Sequence, residues 1–283
     1  MPLTVQRILL YFGTLVIYFN LNAQRTINTV QTSTLLVVGK NMIQADNLTY
    51  ADFLGDGNIM QHTASFDIQL SDDAAARSIL QLLQTPQVQS LNPKERTGRL
   101  MSFIKVSQLG ETIEERQCLN TTVEDISFTT LDATSRIPVK ATIRLKSANV
   151  NLVKGGTRVT SFTPGKNVVQ SSNFSISLGN LPVSRVTRIS GLHITPGNPA
   201  LTSFTLELLA SDGAAWNQWF LTGAGGIKKE QGTISLLSPD LKNVRYYISL
   251  QDVEIISYSV SQGTQPGMNR PVIGLRMKGM AIK

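Results

Sequence analysis

A short pattern that occurs twice in the chain constrains its fold more than any other feature. Residues 65–70 read SFDIQL and are followed by SDDAA, whereas residues 203–208 read SFTLEL and are followed two residues later by SDGAA. In both places apolar and polar residues alternate, which predicts a half-buried strand, and a stretch with helical apolar spacing comes next. The repeat predicts one folding unit present in two copies, with chance similarity as the alternative.

Each repeated strand is predicted to lead into a capped helix. Asp72 and Asp212, or the serines before them, are the predicted N-caps, because their side-chain oxygens can accept hydrogen bonds from the first turn. Each helix then has one apolar face with three- and four-residue spacing. The residues of these faces are Ile79, Leu82 and Leu83 in the first copy and Trp216, Trp219 and Phe220 in the second.

Further predicted strands occur in the same order in both copies. They cover residues 34–39, 99–108, 118–130 and 138–150 in the first copy, and residues 173–194, 232–237, 245–260 and 271–282 in the second. We therefore predict a mainly β fold of two tandem small β-barrels, each with one flanking α-helix. The first barrel spans residues 30–153 and the second spans residues 168–283. Residues 154–167, rich in Gly, Pro and Thr, are predicted to form a linker or a long hairpin tip.

The first 23 residues have the organisation of an export signal. A single positive charge on Arg7 precedes an apolar run at residues 8–19, and Ala23 is a small residue where a signal peptidase would cut. The run is shorter than the roughly 20 residues that a membrane-spanning helix needs. We predict a signal helix at residues 1–23, cleaved after Ala23, and a protein that is periplasmic, at the cell surface or secreted. An uncleaved signal anchor and a buried helix are the alternatives.

Composition favours a folded protein and argues against a nucleic-acid partner. The chain has 283 residues, of which 41% are hydrophobic and 16% charged, so it can form a sizeable core. Its net charge of +7 comes from scattered Lys and Arg residues without interleaved aromatics, whereas a nucleic-acid groove needs both in one place. No later apolar run is long enough to cross a membrane, so we expect no integral membrane insertion after signal cleavage.

No residue pattern predicts a catalytic, cofactor-binding or metal site. His62 and His193 are expected at the surface or in loops just before the two repeated strands, and no G-x-S-x-G elbow supports a Ser-His-Asp triad. Cys118 is the only cysteine, so an intrachain disulfide is excluded and a buried or edge-strand thiol is expected. Residues 55–58 (GDGN) resemble part of a calcium loop, but the rest of that pattern is absent and a turn is expected. We therefore expect neither enzyme activity nor a cofactor.

Trp216 and Trp219 allow two interpretations. Their spacing on the second helix favours core packing, whereas exposed tryptophans could form a stacking platform for sugars. The second interpretation gives the alternative function, an exported carbohydrate- or surface-binding β-module. A hydrolase is a third possibility.

The second copy resembles the phage tail-tube protein family and, through it, the haemolysin-coregulated tube protein of type VI secretion. The resemblance covers residues 173–283 at low identity and depends on an ordered series of elements. These are FSISLGNL at 174–181, RISGL at 188–192, the strand at 203–209 with its Trp-containing helix, GTISLL at 232–237, YISLQDVEIIS at 247–257 and the final strand at 271–282. The first copy matches only through its similarity to the second.

The resemblance implies a small β-barrel flanked by a helix, six of which close into a ring, with rings stacked into a hollow tube. A chain with two such units would reach six-unit pseudo-symmetry as a trimer, as baseplate-hub proteins do. The implied partners are other copies of the chain and other components of a contractile or secretion apparatus. Tube proteins of this family assemble in the cytoplasm without a signal peptide, so the predicted export signal departs from the family's pattern.

Overall fold

Antiparallel strands make up most of the chain in a computed structural model, which describes residues 9–12, 15–18, 32–54, 60–84, 101–155, 159, 167–196, 202–223, 228–262 and 269–283. The chain divides into two compact units, Met1–Gln31 and Thr32–Lys283. The described residues form a mainly β, barrel-like fold with two α-helices. The predicted fold class is confirmed at this level.

In the N-terminal unit, the structure describes two short strands, β1 (Leu9–Phe12) and β2 (Leu15–Tyr18), which pair in antiparallel orientation. The sequence predicts a signal helix over this apolar run, so these residues differ from the prediction. All of them are large aliphatic or aromatic residues, which suit paired strands as well as helices. The rest of the predicted signal segment lies outside the described residues.

The described residues in the first half of the larger unit form ten strands and one helix. The strands are β3 (Thr32–Val38), β4 (Asn41–Gln44), β5 (Asp46–Leu54), β6 (Met60–Gln69), β7 (Met101–Ser107), β8 (Thr112–Leu119), β9 (Thr122–Phe128), β10 (Leu131–Asp132), β11 (Lys140–Ser147) and β12 (Asn149–Lys154), and helix α1 (Ala74–Gln84) lies between β6 and β7. One sheet has the strand order β12-β8-β7-β3-β4, and a second contains β9-β11-β6-β5.

In the second half, the part of the chain that the structure describes forms eight strands and one α-helix. The strands are β13 (Phe174–Leu178), β14 (Val186–Ser190), β15 (His193–Ile194), β16 (Thr202–Leu208), β17 (Glu230–Leu237), β18 (Val244–Gln262), β19 (Asn269–Met277) and β20 (Gly279–Ile282), and helix α2 (Gly213–Gly223) follows a 3-10 turn at Ala210–Asp212. Their order is β14-β16-β19-β18-β17-β13, and β20 pairs with the N-terminal part of β18.

One hydrophobic core extends through both halves of the larger unit. In the first half, the rings of Phe66 on β6 and Phe103 on β7 meet edge to face, 5.1 Å apart, so the two sheets pack against each other. In the second half, Trp216 and Trp219 are 0% and 3% exposed and meet edge to face at 5.7 Å. Their predicted place in the core is confirmed, and their burial leaves no platform on which a sugar could stack.

The start of α1 differs from the prediction. Asp73, not Asp72, caps this helix, because its Oδ1 accepts a hydrogen bond from the Ala75 amide at 2.8 Å. The Asp72 carboxylate instead accepts a hydrogen bond from the Asn167 side chain at 2.5 Å. Before α2 the chain forms the 3-10 turn, and its N-cap residue, Leu209, makes no side-chain cap.

The apolar face of α1 also differs from the prediction. Leu82 is 40% exposed, whereas Leu80 is fully buried. The buried face consists of Ala76, Ile79, Leu80 and Leu83. This set follows the helical repeat, which leaves Leu82 at the margin of the face.

Some predicted strands are divided in two. Residues 118–130 contain the end of β8 and all of β9, because Asn120 adopts a left-handed φ of 52° and interrupts the ladder. Residues 138–150 are also divided, into β11 and β12. Residues 271–282 are divided into β19 and β20. Each division moves the chain from one sheet pairing to another.

A buried tyrosine connects the second half to the first. Tyr246 on β18 is fully buried, and its hydroxyl donates a hydrogen bond to the Ser71 carbonyl at 2.8 Å. Burial raises the pKa of Tyr246 to about 12. The phenol therefore keeps its proton in the folded state at pH values where an unfolded chain has released it.

Replacing Tyr246 with Phe should lower the free energy of unfolding by about 1–3 kcal/mol at pH 7, because the Ser71 carbonyl loses its partner. Between pH 10 and 12, only the unfolded wild-type chain releases the phenol proton, so wild-type stability should fall and the difference from Tyr246→Phe should shrink. Urea unfolding followed by tryptophan fluorescence measures both effects. Tyr247→Phe, at a site 47% exposed, is the control and should change stability by less than about 0.5 kcal/mol. Equal stability of Tyr246→Phe and wild type at pH 7 would contradict this role.

Candidate assembly interface

One cavity in the described part of the larger unit is a pocket lined by residues of β5, β6 and β8. Its volume is about 180 Å³, and its lining includes Tyr50, Asp52, His62, Arg116 and Cys118. His62 Nδ1 lies 2.7 Å from Asp52 Oδ1, and the Arg116 guanidinium lies 4.2 Å from the centre of the Tyr50 ring. The pocket thus combines a histidine–carboxylate hydrogen bond with a cation–π contact.

The thiol in this pocket is not prepared for nucleophilic attack. Cys118 is 2% exposed, and burial raises the pKa of its thiol. Because the thiolate is the reactive form, a buried and protonated thiol is inert. The predicted buried structural cysteine is confirmed.

Cys118 should react slowly with a thiol reagent such as 5,5′-dithiobis(2-nitrobenzoate) at pH 7.5 in the folded protein, because the reagent cannot reach it and little thiolate is present. In 8 M urea the same thiol should react at the rate of a free cysteine. The measurement is absorbance against time, and a Cys118→Ala variant gives the background. Complete reaction of the folded protein within seconds would contradict the burial of this thiol.

The two histidines lie in different structural settings. His62 is inside β6, since that strand begins at Met60, so the prediction that it precedes the repeated strand is wrong. His193 lies in β15, with Nδ1 3.1 Å from the Gly191 carbonyl oxygen, and it does not line the pocket that contains His62. Residues 55–58 lie outside the described residues. Among the described residues no group of His, Cys, Asp and Glu is arranged to hold a metal ion, and no helix is long and apolar enough to cross a membrane.

A paired stretch of strand, here called the joint, connects residues 126–133 of the first half to residues 187–194 of the second. The facing pairs are Ile126 with Ile194, Ser127 with His193, Leu131 with Ile189 and Asp132 with Arg188. The Phe128 amide donates to the Leu192 carbonyl at 3.0 Å. The offset between the two segments is the same on both sides of the irregular residues 129–130, so the joint has one register.

Side chains alternate between two environments along the joint. Ile126 and Ile189 are fully buried and Ile194 is 7% exposed, so these residues belong to the core. Asp132 and Arg188 lie on the opposite, polar face. Hydrogen bonds from Thr134, with the charge of Arg188 as a smaller contribution, lower the pKa of Asp132. The joint is therefore packed on one face and keeps its charges in solvent on the other.

The joint combines one sheet from each half into a larger sheet. Its order is β5-β6-β11, then β9 with β10, then β14 with β15, then β16-β19-β18. Its polar face contains Ser65, Asp67, Lys140, Thr142, Arg144, Ser203, Thr205, Glu207, Arg270 and Arg276. Several of the acidic residues on this face have basic partners, such as Glu254 with Arg276 at 2.6 Å and Asp67 with Lys140 at 3.7 Å.

Helix α1 reinforces the joint from the other side of the sheet. Gln84 at its C-terminal end accepts a hydrogen bond from the Ile282 amide on β20 at 2.5 Å. Ile282 is 5% exposed as a result of packing in this region. The first half therefore contacts the second through this helix as well as through the joint and the Tyr246–Ser71 hydrogen bond.

Sequence reasoning did not identify the joint. The sequence marks residues 188–192 (RISGL) only as an element of the resembled family, and it marks residues 124–128 (EDISF) only as part of a predicted strand. Alternation of polar and apolar residues shows that both segments are strands, but it does not indicate which distant strand each one joins.

Comparison with known proteins adds no assignment, since no family model matches the chain and no curated protein matches it.

Proposed function

We propose that the protein is an exported, non-catalytic assembly protein that closes into rings, and stacks into tubes, like the tail-tube proteins it resembles. In this proposal the chain consists of two copies of one unit, residues 30–153 and 168–283, each a small β-barrel with a flanking helix. Three chains would then place six units around one axis.

The order of strand pairing supports the two copies. The order β12-β8-β7-β3 in the first half has the counterpart β20-β18-β17-β13 in the second. Likewise, β9-β11-β6-β5 has the counterpart β18-β19-β16-β14. The long strand β18 takes the places of both β8 and β9, because its N-terminal part pairs with β17 and β20 and its C-terminal part pairs with β19.

Backbone conformation supports the same correspondence. Left-handed φ angles, which are uncommon outside glycine, occur at matched positions of the two halves. The matched pairs are Gly39 with Gly179, Asn47 with Gly191, and Asn120 with Asp252. Strand register agrees, since Phe66 faces Ile143 and Phe204 faces Leu275, which aligns IRLK at 143–146 with LRMK at 275–278.

The joint is the observation that carries the ring proposal. In the joint, β9 and β10 of the first unit pair with β15 and β14 of the second, so two corresponding units meet through different edges. Such a head-to-tail contact repeats until it closes into a ring or extends into a helix. Among the described residues, the joined sheet ends at β5 and at the C-terminal part of β18, the counterparts of the β14–β15 edge and of β9, and these two ends are unpaired.

The size and chemistry of the joined sheet are consistent with a channel. Four strands from each of six units would give a closed sheet of about 24 strands, with a backbone diameter of about 40 Å at about 4.8 Å per strand. The polar face, rich in hydroxyl groups and ion pairs, would line a water-filled interior. The packed face would hold the sheet against the helices and the outer strands.

The purified protein should have three times the mass of one chain by mass photometry, and negative-stain images should show rings with a central hole. Ring formation should persist on moderate dilution, because backbone hydrogen bonds and apolar side chains close each contact. A protein that is monomeric at every concentration and salt tested would contradict the proposal.

The export part of the proposal depends on residues 1–23. When expressed in a bacterium with a general secretory pathway, the protein should reach the periplasm with Gln24 as its first residue. Intact mass and N-terminal sequencing measure this. Ile17→Arg, which interrupts the apolar run, should leave the protein uncleaved in the cytoplasm, whereas Thr4→Arg in the polar start should not. Periplasmic protein that retains residues 1–23 would contradict cleavage.

A further inference from the structure

We infer that rings close through an intermolecular copy of the joint: the C-terminal part of β18 and helix α2 of one chain bind β5 and β12 of the next. This inference rests on the proposed function and adds to it the two surfaces, their register and their side chains. The evidence is a comparison of matched positions, buried in the joint and exposed at the free edges.

The chain specifies one register for this contact. Asp125 faces Arg144 and Glu254 faces the matched Arg276, so Asp125 on β9 aligns with Glu254 on β18. Beyond the bulge at Ile256, Ser127 aligns with Ser257. On the other strand, the left-handed residues Asn47 and Gly191 align Thr49 with His193. Because Ser127 faces His193 in the joint, Ser257 should face Thr49 of the neighbouring chain.

Exposure at matched apolar positions supports a missing partner. Ile194, in the joint, is 7% exposed, but its counterpart Tyr50 on β5 is 36% exposed. Ile282, beside α1, is 5% exposed, whereas its counterpart Leu152 on β12 is 51% exposed. In a single chain, the contact that buries these positions in the second copy therefore has no equivalent at the first copy.

Hydrogen bonding shows the same difference. Asp72 before α1 accepts a hydrogen bond from Asn167, the residue immediately before the second unit. The matched residue before α2 is Asp212, whose Oδ2 is buried and has no hydrogen-bond partner among the described residues. The hydrogen bond that Asp72 makes before α1 therefore has no equivalent at the matched Asp212 in a single chain.

The opposite surface also has apolar side chains in solvent. Ile256 and Val260 on β18 are 44% and 50% exposed, and Leu221 on α2 is 70% exposed. Exposed apolar groups on an unpaired sheet edge are typical of a protein–protein contact. The occupant is a second copy of this chain, because the joint already shows the same kind of edge paired with its counterpart.

The predicted register gives a direct test. Since Phe128 and Leu192 share a backbone hydrogen bond, Ser127 and His193 form a non-hydrogen-bonded pair, whose Cα atoms lie about 4.5 Å apart. A disulfide fits this separation. Thr49 and Ser257 are both exposed in one chain, so cysteines there should not disturb folding.

The double variant Thr49→Cys/Ser257→Cys should form covalent closed trimers after mild oxidation, visible on non-reducing gels. Thr49→Cys/Ser261→Cys is the matched control, because Ser261 lies about 13 Å further along the strand, and it should form at least tenfold less. Cys118 is buried and stays in place. Mass photometry of the reduced variants checks that rings still form.

A surface variant provides a second test that does not depend on cysteines. Leu152→Arg should abolish rings but leave the melting temperature of the chain unchanged, since Leu152 is exposed in one chain. Leu82→Arg is the control, because α1 already has β20 as its partner within the chain, and this variant should form rings normally.

The outcomes separate the two proposals. A wild-type protein that stays monomeric would overturn the ring function and the inference with it. Normal rings in which Thr49→Cys/Ser257→Cys cross-links no better than the control, or rings that persist in Leu152→Arg, would overturn the inference alone.

Discussion

Backbone hydrogen bonding at sheet edges is the constraint on which the rest of this structure depends. An edge strand presents unpaired N–H and C=O groups, and a protein must cover, pair or disrupt them. The joint pairs one such edge in each half, with Ile126 and Ile194 packed on its inner face. The core, the helix α1 contact and the polar outer face are all organised around that pairing. Within the joined sheet, the edges of β5 and of the C-terminal part of β18 stay unpaired in a single chain.

A few residues with left-handed φ angles let short segments of the chain pass from one sheet to another. Asn120 and Asp252 stand where the chain leaves one sheet pairing and enters another. Such a φ costs little for Asn and Asp, whose short polar side chains tolerate it. The barrel-like form thus results from local backbone choices, while the burial of alternate apolar side chains holds the two sheets together.

The sequence predicts local structure here better than it predicts which distant strands pair. Alternation and apolar spacing predict the mainly β fold, the helix near residue 79 and the buried tryptophans, because these depend on neighbouring residues. The cap lies one residue later than predicted, at Asp73, because Asp72 binds Asn167, and the buried face of α1 contains Leu80 in place of Leu82. The joint could not be predicted, because Ser127 and His193 are distant in sequence and nothing local marks them as a pair.

The joint has a consequence for assembly kinetics if the proposed ring forms. With two units in each chain, half of the six contacts are intramolecular and form at a high effective concentration, independent of how much protein is present. Only three intermolecular contacts remain, and two encounters between chains bring them together, so a ring should nucleate at lower concentration than one built from six separate units. The covalent link also frees the two contacts to evolve separately.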